Sequence, residues 1–219
     1  MKLAHRKDSL VPTGRRLCVW CGVALGLQHV FVQGQGPTVS IHSNSEPITI
    51  NDFSSEKLGQ ATPYPAIINV SGISKPVTTV TVTLVGLTHN KSRDIKILLV
   101  GPRGQHVVLM SETGGNTGSA AAISNATLTF DDTAQSSLPT NAPVTSGNFK
   151  PALFAGLNSP SFPDEPAGIR SDQLAAFKDP DANGPWRLFV VDGSTGGSGS
   201  IAKGWSLSRN DAVRFRVSG

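Results

Sequence analysis

The chain has 219 residues, which is enough for one domain of ordinary size and short for two. Hydrophobic residues make up 38% and charged residues 16% of it, with 23 glycines and 15 prolines. This composition excludes coiled coils and other long helical proteins, which are rich in Ala, Glu, Lys and Leu. The net charge of +4 and the sequence pI of about 9.3 favour, taken alone, a nucleic-acid ligand.

The positive charge is concentrated at the amino terminus. Five basic residues and one acidic residue open the chain: Lys2, Arg6, Lys7, Arg15, Arg16 and Asp8. Without them, 14 basic and 14 acidic residues remain, and the basic ones are scattered rather than gathered into a stripe with aromatic residues between them. The sequence therefore predicts that the chain does not bind nucleic acid.

The start of the chain has the pattern of an export signal. After the basic residues comes an apolar run, Leu17–Leu27, which is too short to span the roughly 30 Å of a bilayer core but typical of a signal peptide. We expect residues 1–34 to be a signal peptide and the mature protein to be bacterial and secreted, extracellular or periplasmic; a membrane anchor over residues 17–32 is the alternative. The only cysteines, Cys18 and Cys21, lie inside the run, so we interpret their C-x-x-C spacing as coincidental.

Beyond the leader, the pattern is that of β-strands. Residues 35–46 are polar and contain Gly and Pro, and we predict a linker there. Thr79–Leu84 then alternates strictly between threonine and the apolar Val80, Val82 and Leu84, which is typical of a half-buried strand. Further strands are predicted at Ile48–Asn51, Ala66–Val70, Asp94–Val100, Gln105–Glu112, Asn125–Asp131, Trp186–Val191 and Trp205–Ser208.

The connections complete this pattern. Gly101–Gly104 predicts a hairpin turn, and Ser171–Lys178 predicts one short helical turn capped by Ser171. Residues 114–124 and 138–166 are predicted to be long surface loops. Many short strands without a βαβ alternation predict an all-β, antiparallel β-sandwich over residues 47–209, followed by a C-terminal extension at 210–219.

A catalytic arrangement is not visible in the sequence. A serine hydrolase needs a base within hydrogen-bond reach of its nucleophile, and outside the leader and linker only His89 and His106 are available. The run Gly196–Ser200 fits a β-turn better than a G-x-S-x-G nucleophile elbow. We interpret His89 as a structural histidine beside a strand end, and we predict no catalytic residues, no organic cofactor and no enzyme activity.

Several aspartates at predicted strand ends and loops are candidate calcium ligands. Asp179–Gly184 has the D-x-D-x-N-G opening of an EF-hand loop, but Val190 occupies the twelfth position and a strand follows, so an EF-hand is excluded. A simpler calcium site remains an option because carboxylates at strand ends can converge. Its candidate ligands are Asp94, Asp131, Asp132, Asp179, Asp181 and Asp192; turn formation and capping are the alternative role for each of them.

Three blocks of the sequence resemble a known domain family. Leu84–His89 followed by Asp94–Gly104 resembles the "ITH…DL.I.L.SP.G" hairpin of the P domain, or Homo B domain, of subtilisin-like proprotein convertases. Asn183–Leu188 with Val191 and Asp192 resembles its "NGTW.L.V.D" strand, and Gly196–Leu207 resembles its "GD.G.L..W.L" closing strand. The blocks lie in the family's order and include Trp186 and Trp205, which we expect to be core anchors.

The resemblance implies a fold and a role. The fold is a jelly-roll-like, galactose-binding-like β-sandwich, and the domain supports a subtilisin-like serine endopeptidase without carrying its triad. Since only a leader and a linker fit before residue 47, we expect a module without its own catalytic domain that binds a protein or cell-surface partner, a protease among the candidates. A lectin-like carbohydrate-binding sandwich and, less favoured, a self-contained hydrolase are the alternatives.

Overall fold

The computed structural model describes residues 31–34, 38–54, 57–115, 121–153, 161–179, 181–211 and 215–218. The apolar run Leu17–Leu27 with its two cysteines, and most of the predicted signal peptide, lie outside these residues. Among the described residues, no helix is long and apolar enough to cross a membrane. Apart from two 3₁₀ helices, Ser92–Asp94 and Leu174–Phe177, their regular structure is entirely β.

The strands follow one another in short lengths along the chain. They are β1 (Phe31–Gly34), β2 (Val39–Asn44), β3 (Ile48–Ile50), β4 (Gly59–Gln60), β5 (Ala66–Val70), β6 (Val77–His89), β7 (Ile95–Val100), β8 (His106–Ser111), β9 (Ile123–Phe130), β10 (Gly147–Phe149), β11 (Ala152–Leu153), β12 (Arg170–Ser171), β13 (Gly184–Asp192), β14 (Gly199–Ile201), β15 (Trp205–Asp211) and β16 (Phe215–Ser218). The all-β prediction is confirmed, and every predicted strand is present within a few residues of its expected position.

The chain divides into two compact units. The smaller comprises residues 1–33 and 215–219, and β1 pairs with β16 in a two-stranded sheet of their own. The larger, residues 34–214, contains two seven-stranded sheets. The predicted signal peptide and C-terminal extension therefore each include a described strand.

The first sheet is built around β6, the longest strand. On one side β6 pairs with β9; on the other it pairs with β15 along its first part and with β14 along its last. A register shift lies between Leu84 and Leu87, where Gly86 has a φ of +78° that favours glycine. With this bulge, the first part of β6 pairs with β15 and the last part with β14, and β3, β2 and β10 complete the sheet.

The second sheet packs the hairpin of β7 and β8 beside β13. Gly101 donates its backbone N–H to Gln105 O at 2.9 Å, which closes the predicted turn. β13 pairs with β7 on one side and with β5 and β4 on the other, all antiparallel. The sandwich also contains parallel pairs that the sequence does not predict: β10 with β9, and both β11 and β12 with β8.

The main core fills the space between the two sheets. Val80, Val82 and Leu84 are each at most 4% exposed, so the alternation predicted for β6 is correct. Both predicted tryptophan anchors are buried: Trp186 packs on Phe177 with 4.9 Å between ring centroids and donates its indole N–H to Ala182 O. A buried aromatic ring removes roughly 150–250 Å² from water, so these rings contribute strongly to stability.

The predicted linker is wrong for residues 39–44, which form strand β2 and pair with β15 along their whole length. In an ordinary edge strand the apolar side chains face the core, but in β2 the apolar side chains face outward. Val39 and Ile41 are 59% and 70% exposed, whereas Ser40, His42 and Asn44 are partly buried. Because its less exposed side chains are polar, the strand has the composition of a linker.

The predicted helical turn exists but has a different cap. The backbone N–H groups of Leu174 and Ala175 donate to the two carboxylate oxygens of Asp132, at 2.8 and 2.7 Å. Ser171 instead accepts from Gln173 N, one residue before the turn. The residue that fixes this turn therefore lies some forty positions earlier in the chain, after β9.

The predicted loop over residues 138–166 also contains regular structure. Strands β10 and β11 lie within it, and Leu138, Val144 and Phe162 are buried. Of the other predicted loop, residues 114–115 and 121–124 are described, and β9 begins at Ile123. These stretches are therefore surface connections that are anchored to the sandwich by apolar side chains.

Candidate functional site

A buried pair of ionisable side chains lies where β6 and β13 end. His89 and Asp192 are both fully buried, with 3.2 Å between His89 Nε2 and Asp192 Oδ2. His89 Nδ1 lies 2.9 Å from Lys91 O and 3.1 Å from Lys91 N, so the Lys91 backbone contacts one ring nitrogen while the carboxylate faces the other. The pair thus orients the imidazole by contacts to both of its nitrogens, as expected of a structural histidine.

Asp94 lies close to this pair. Burial, reinforced by the negative charge of Asp192, raises the pKa of Asp94 above its usual value, although Lys91 and Lys96 lower it in part. Its backbone carbonyl accepts the N–H of Gly193 at 2.8 Å, so the start of β7 is tied to the residue that follows β13. Two of the predicted ligands, Asp94 and Asp192, therefore lie close enough for the charge of Asp192 to raise the pKa of Asp94.

The glycine-rich turn after β13 covers the buried pair. A Cβ on Gly197 would lie 2.4 Å from Asp192 Oδ2 and 2.9 Å from His89 Cε1, so only glycine fits there. Ser194 N donates to Asp192 Oδ1, and Lys91 Nζ donates to Thr195 O. The turn is therefore fixed from both flanks, and it shields the imidazole from solvent.

A groove of about 580 Å³ lies beside this turn. Asp52 connects the two features, because its carboxylate lines the groove and accepts the N–H groups of Gly196 and Gly197. Among the described residues, its lining consists of Asn51, Asp52, Ser54, Lys57, Leu58, Gly59, Gln60, Ala61, Thr62, Tyr64 and Asp164. These residues present hydroxyls, amides and carboxylates together with an ammonium group and an aromatic ring.

Tyr64, the only tyrosine of the chain, is half-buried in the wall of this groove. Its hydroxyl donates to Pro163 O at 2.8 Å, and its ring meets Phe189 edge to face at 5.3 Å. Burial raises the pKa of Tyr64 far above its usual value, and the charges of Asp164 and Glu165 add to this. The groove residues are not predicted from the sequence, in which a lone tyrosine between two prolines is the only signal for them.

The six predicted calcium ligands do not converge. They remain as three pairs: Asp94 with Asp192, Asp131 with Asp132, and Asp179 with Asp181. Within the part of the chain that the structure describes, no group of three or more His, Cys, Asp or Glu side chains is placed to hold a metal ion. Calcium binding stays a prediction, with these carboxylates as its only candidates.

The second and third pairs hold loops in place. Asp131 Oδ1 accepts from both the backbone and the hydroxyl of Thr133, and Asp132 caps the 3₁₀ helix. Asp179 lies 3.4 Å from Arg103 Nε and also accepts from Gln105 and from Asp181 N. These contacts are those of turn formers and caps, the alternative role considered for each aspartate.

The histidines considered as catalytic bases are not placed for catalysis. His89 contacts Asp192 and the backbone of Lys91, and His106 has no hydrogen-bond partner on either ring nitrogen among the described residues. Neither imidazole, as described, forms a hydrogen bond with a serine or threonine hydroxyl. A nucleophile–base pair is therefore not formed by either histidine.

The sequence of the central strands matches the model of one domain family. Residues 77–138, from the start of β6 to just beyond β9, match the family model of the proprotein convertase P-domain. The sandwich is P-domain-like. The P-domain match includes the β7–β8 hairpin and His89, whereas the later blocks around Trp186 and Trp205 lie outside the matched residues.

Two solved structures are similar to this P-domain-like chain. The crystal structure of a serine protease of Aeromonas sobria shares 16% identity over 80% of this chain and 28% of that chain, with a TM-score of 0.34. The crystal structure of the Aeromonas sobria serine protease (ASP) in complex with the chaperone ORF2 has the same identity, share of this chain and TM-score, over 27% of that chain. This chain thus spans less than a third of either protease chain. No curated protein gives a significant match.

Proposed function

We propose that the chain is an exported, non-catalytic P-domain-like module that binds a protein partner, and that this partner is a subtilisin-like serine protease. The observation that carries the proposal is the match of residues 77–138 to the P-domain, a domain that accompanies the catalytic domain of such proteases. A module of this kind acts through its surface and the rigidity of its fold rather than through a nucleophile.

The geometry of the histidines supports the non-catalytic part. His89 is enclosed by the turn after β13 and fully buried, so a substrate cannot reach its ring in this conformation. His106 is 1% exposed and lies under other segments of the chain. A general base has to reach the proton that it abstracts, within about 3 Å.

The test combines a binding assay with an activity assay. The purified chain should hydrolyse casein no faster than buffer, and an immobilised chain should retain a subtilisin-like protease secreted by the same cells. A secreted protease encoded beside this chain would identify the one to use. Casein hydrolysis that co-purifies with the chain and is lost in a folded His106→Met variant would overturn the non-catalytic assignment, and failure to retain the protease would overturn the partner.

A second candidate function rests on the groove. Sugar sites combine hydroxyl-bonding amides and carboxylates with an aromatic ring, and this groove contains Asn51, Gln60 and Asp164 with Tyr64. Its volume of about 580 Å³ lies within the range of small-molecule sites. A glycan of the cell surface or of a partner is the ligand class that this lining favours.

A glycan array, with and without calcium, tests the second candidate. Binding to a defined glycan should be lost in Tyr64→Ala, which removes the ring. Binding should be largely kept in Tyr64→Phe, which retains the ring and loses only the hydrogen bond to Pro163 O. An array without signal above background would retire the carbohydrate candidate and leave the protease candidate unaffected.

A further inference from the structure

A second apolar cluster lies on the face of the β7–β8–β13 sheet that points away from the main core. In β7 and β13, side chains that belong to this cluster alternate with side chains of the main core. Its buried members are Leu98, Val100, Val108, Phe162, Phe189 and Val191. Five of the six belong to the sheet, so the outer face of this sheet carries apolar side chains that have to be covered.

Residues 161–171, which we call the strap, provide this cover. Phe162 inserts into the cluster, and β12 at the end of the strap adds only two residue pairs to the edge of β8. The strap also makes the hydrogen bond from the Tyr64 hydroxyl to Pro163 O, and Arg170 pairs with Glu165 and lies 5.7 Å from the Phe162 ring centroid. Among the described residues its backbone pairing with the sheet is short, whereas the central strands pair along most of their length.

His106 lies beneath the strap. It is the first residue of β8, is 1% exposed, and stands opposite Arg170 in the β8–β12 pair. A Cβ on Gly168 would be 2.6 Å from His106 Nε2, so the strap backbone packs directly on the imidazole. Within the part of the chain that the structure describes, neither ring nitrogen has a hydrogen-bond partner.

The protonated form of His106 is poorly tolerated in this position. A neutral imidazole already buries one N–H group, and protonation adds a second N–H and a full charge without a partner for either. The charged groups facing it from the strap are Glu165, which favours protonation, and Arg170, which opposes it. The partner of His106 on β7 is the uncharged Val100, and Arg103 in the β7–β8 turn is paired with Asp179. Burial is the largest influence, and it lowers the pKa of His106.

We propose that the strap is an acid-released cover: when His106 takes up a proton, residues 161–171 leave the sheet and expose the second apolar cluster to a partner or to solvent. With the strap open, His106 is hydrated and its charge costs little, whereas with the strap closed the charge is buried. Acid therefore shifts the equilibrium towards the open state. This acid-driven opening of the strap does not depend on the identity of the partner that the module binds.

The size of the shift follows from proton linkage. If the open state has the ordinary histidine pKa of about 6.5 and burial lowers the pKa in the closed state, the open-to-closed ratio increases as the pH falls, by at most about thirtyfold between about pH 7.5 and about pH 5.0. Most of the change occurs below about pH 6.5, at up to tenfold per pH unit. The central strands do not share this change, because their backbone hydrogen bonds are not released with the strap.

Hydrogen exchange with mass spectrometry measures this ratio on the full chain. Protection factors, the ratios of the intrinsic exchange rate at each pH to the observed rate, should fall by up to about thirtyfold for peptides covering 161–171 between about pH 7.5 and about pH 5.0. Peptides covering β6 and β15 should change far less. An unchanged strap, or a strap that becomes more protected in acid because Glu165 accepts the new N–H, would overturn the proposal.

Two variants and one control test whether His106 causes the acid response of the strap. His106→Met removes the titrating group and should flatten the response of the strap, whereas His42→Gln, in the other sheet, should leave it intact. Gly168→Ala pushes the strap off the imidazole and should leave residues 161–171 weakly protected at both pH values. If His106→Met also loses protection in β6, Gly168→Ala decides instead: a full acid response in that variant would overturn the role of His106, as would a full response in folded His106→Met.

Discussion

Replacing Asp132 with alanine removes the acceptor of the two N–H groups that start the 3₁₀ helix Leu174–Phe177. Loss of a capping side chain typically costs about 1 kcal/mol, and this carboxylate makes two partly buried bonds, so we expect a loss of about 2 kcal/mol. The helix also positions Phe177 against Trp186, which connects the cap to the core. In a protein of this size the expected decrease in Tm is about 4–8 °C.

The neighbouring Asp131→Ala is the matched control. Asp131 bonds only to Thr133 in its own exposed turn, so its loss should cost about 0.5 kcal/mol. Thermal melts of both variants, with calcium and with EDTA, separate the cap from a metal ligand, because a ligand bound only to the native state raises its Tm. A decrease that disappears in EDTA, or a loss for Asp132→Ala no larger than for Asp131→Ala, would refute the capping explanation.

Three other substitutions or titrations test the packing and the buried groups. Gly197→Ala should lower the free energy of unfolding in urea by about 3 kcal/mol or more, because the new Cβ would meet Asp192 and His89. The control Gly72→Ala has nothing within 4 Å of its Cβ and should cost only about 1–2 kcal/mol for its positive φ. Equal losses in the two variants would contradict this. The ultraviolet absorbance of the only tyrosine should show Tyr64 ionising well above pH 10, because burial raises its pKa, and a midpoint near 10 would mean that the ring is solvated. Burial and the charge of Arg209 lower the pKa of His42, so the unfolded chain binds its proton more readily, and stability should fall as the pH drops below about 6.5; His42→Gln should remove part of that fall, and an unchanged slope would count against it.

Strands whose apolar side chains face the core could be predicted from the sequence. The alternation in Thr79–Leu84 marks the buried face of β6, and Trp186 and Trp205 mark β13 and β15, because apolar side chains at a period of two have few other uses. Strand β2 escaped prediction because its apolar residues face outward and its partly buried ones are polar. Periodicity alone does not say which face of a strand meets the core.

The candidate site depended on contacts between distant segments. Asp132 caps a helix some forty residues later, and His89 meets Asp192 about a hundred residues later, so neither partner is visible in a local window. The aspartates were correctly placed at strand ends and in loops, but these lie on both sheets, and the carboxylates bond to separate turns and side chains instead of meeting at one point. The groove remained hidden because its lining comes from an irregular segment between β3 and β5 and from a single residue, Asp164.

The described parts of the segment between β9 and β13 occupy edges of both sheets. β10 lies beside β9 at one end of the first sheet, and β11 and β12 lie beside β8 at one end of the second. An uncovered edge strand offers unpaired N–H and C=O groups to any other chain, and β8 is buried along its entire length. Shortening this proline-rich segment would therefore expose an edge strand on each of the two sheets of one molecule. The expected consequence is polymerisation by edge-to-edge strand pairing between chains.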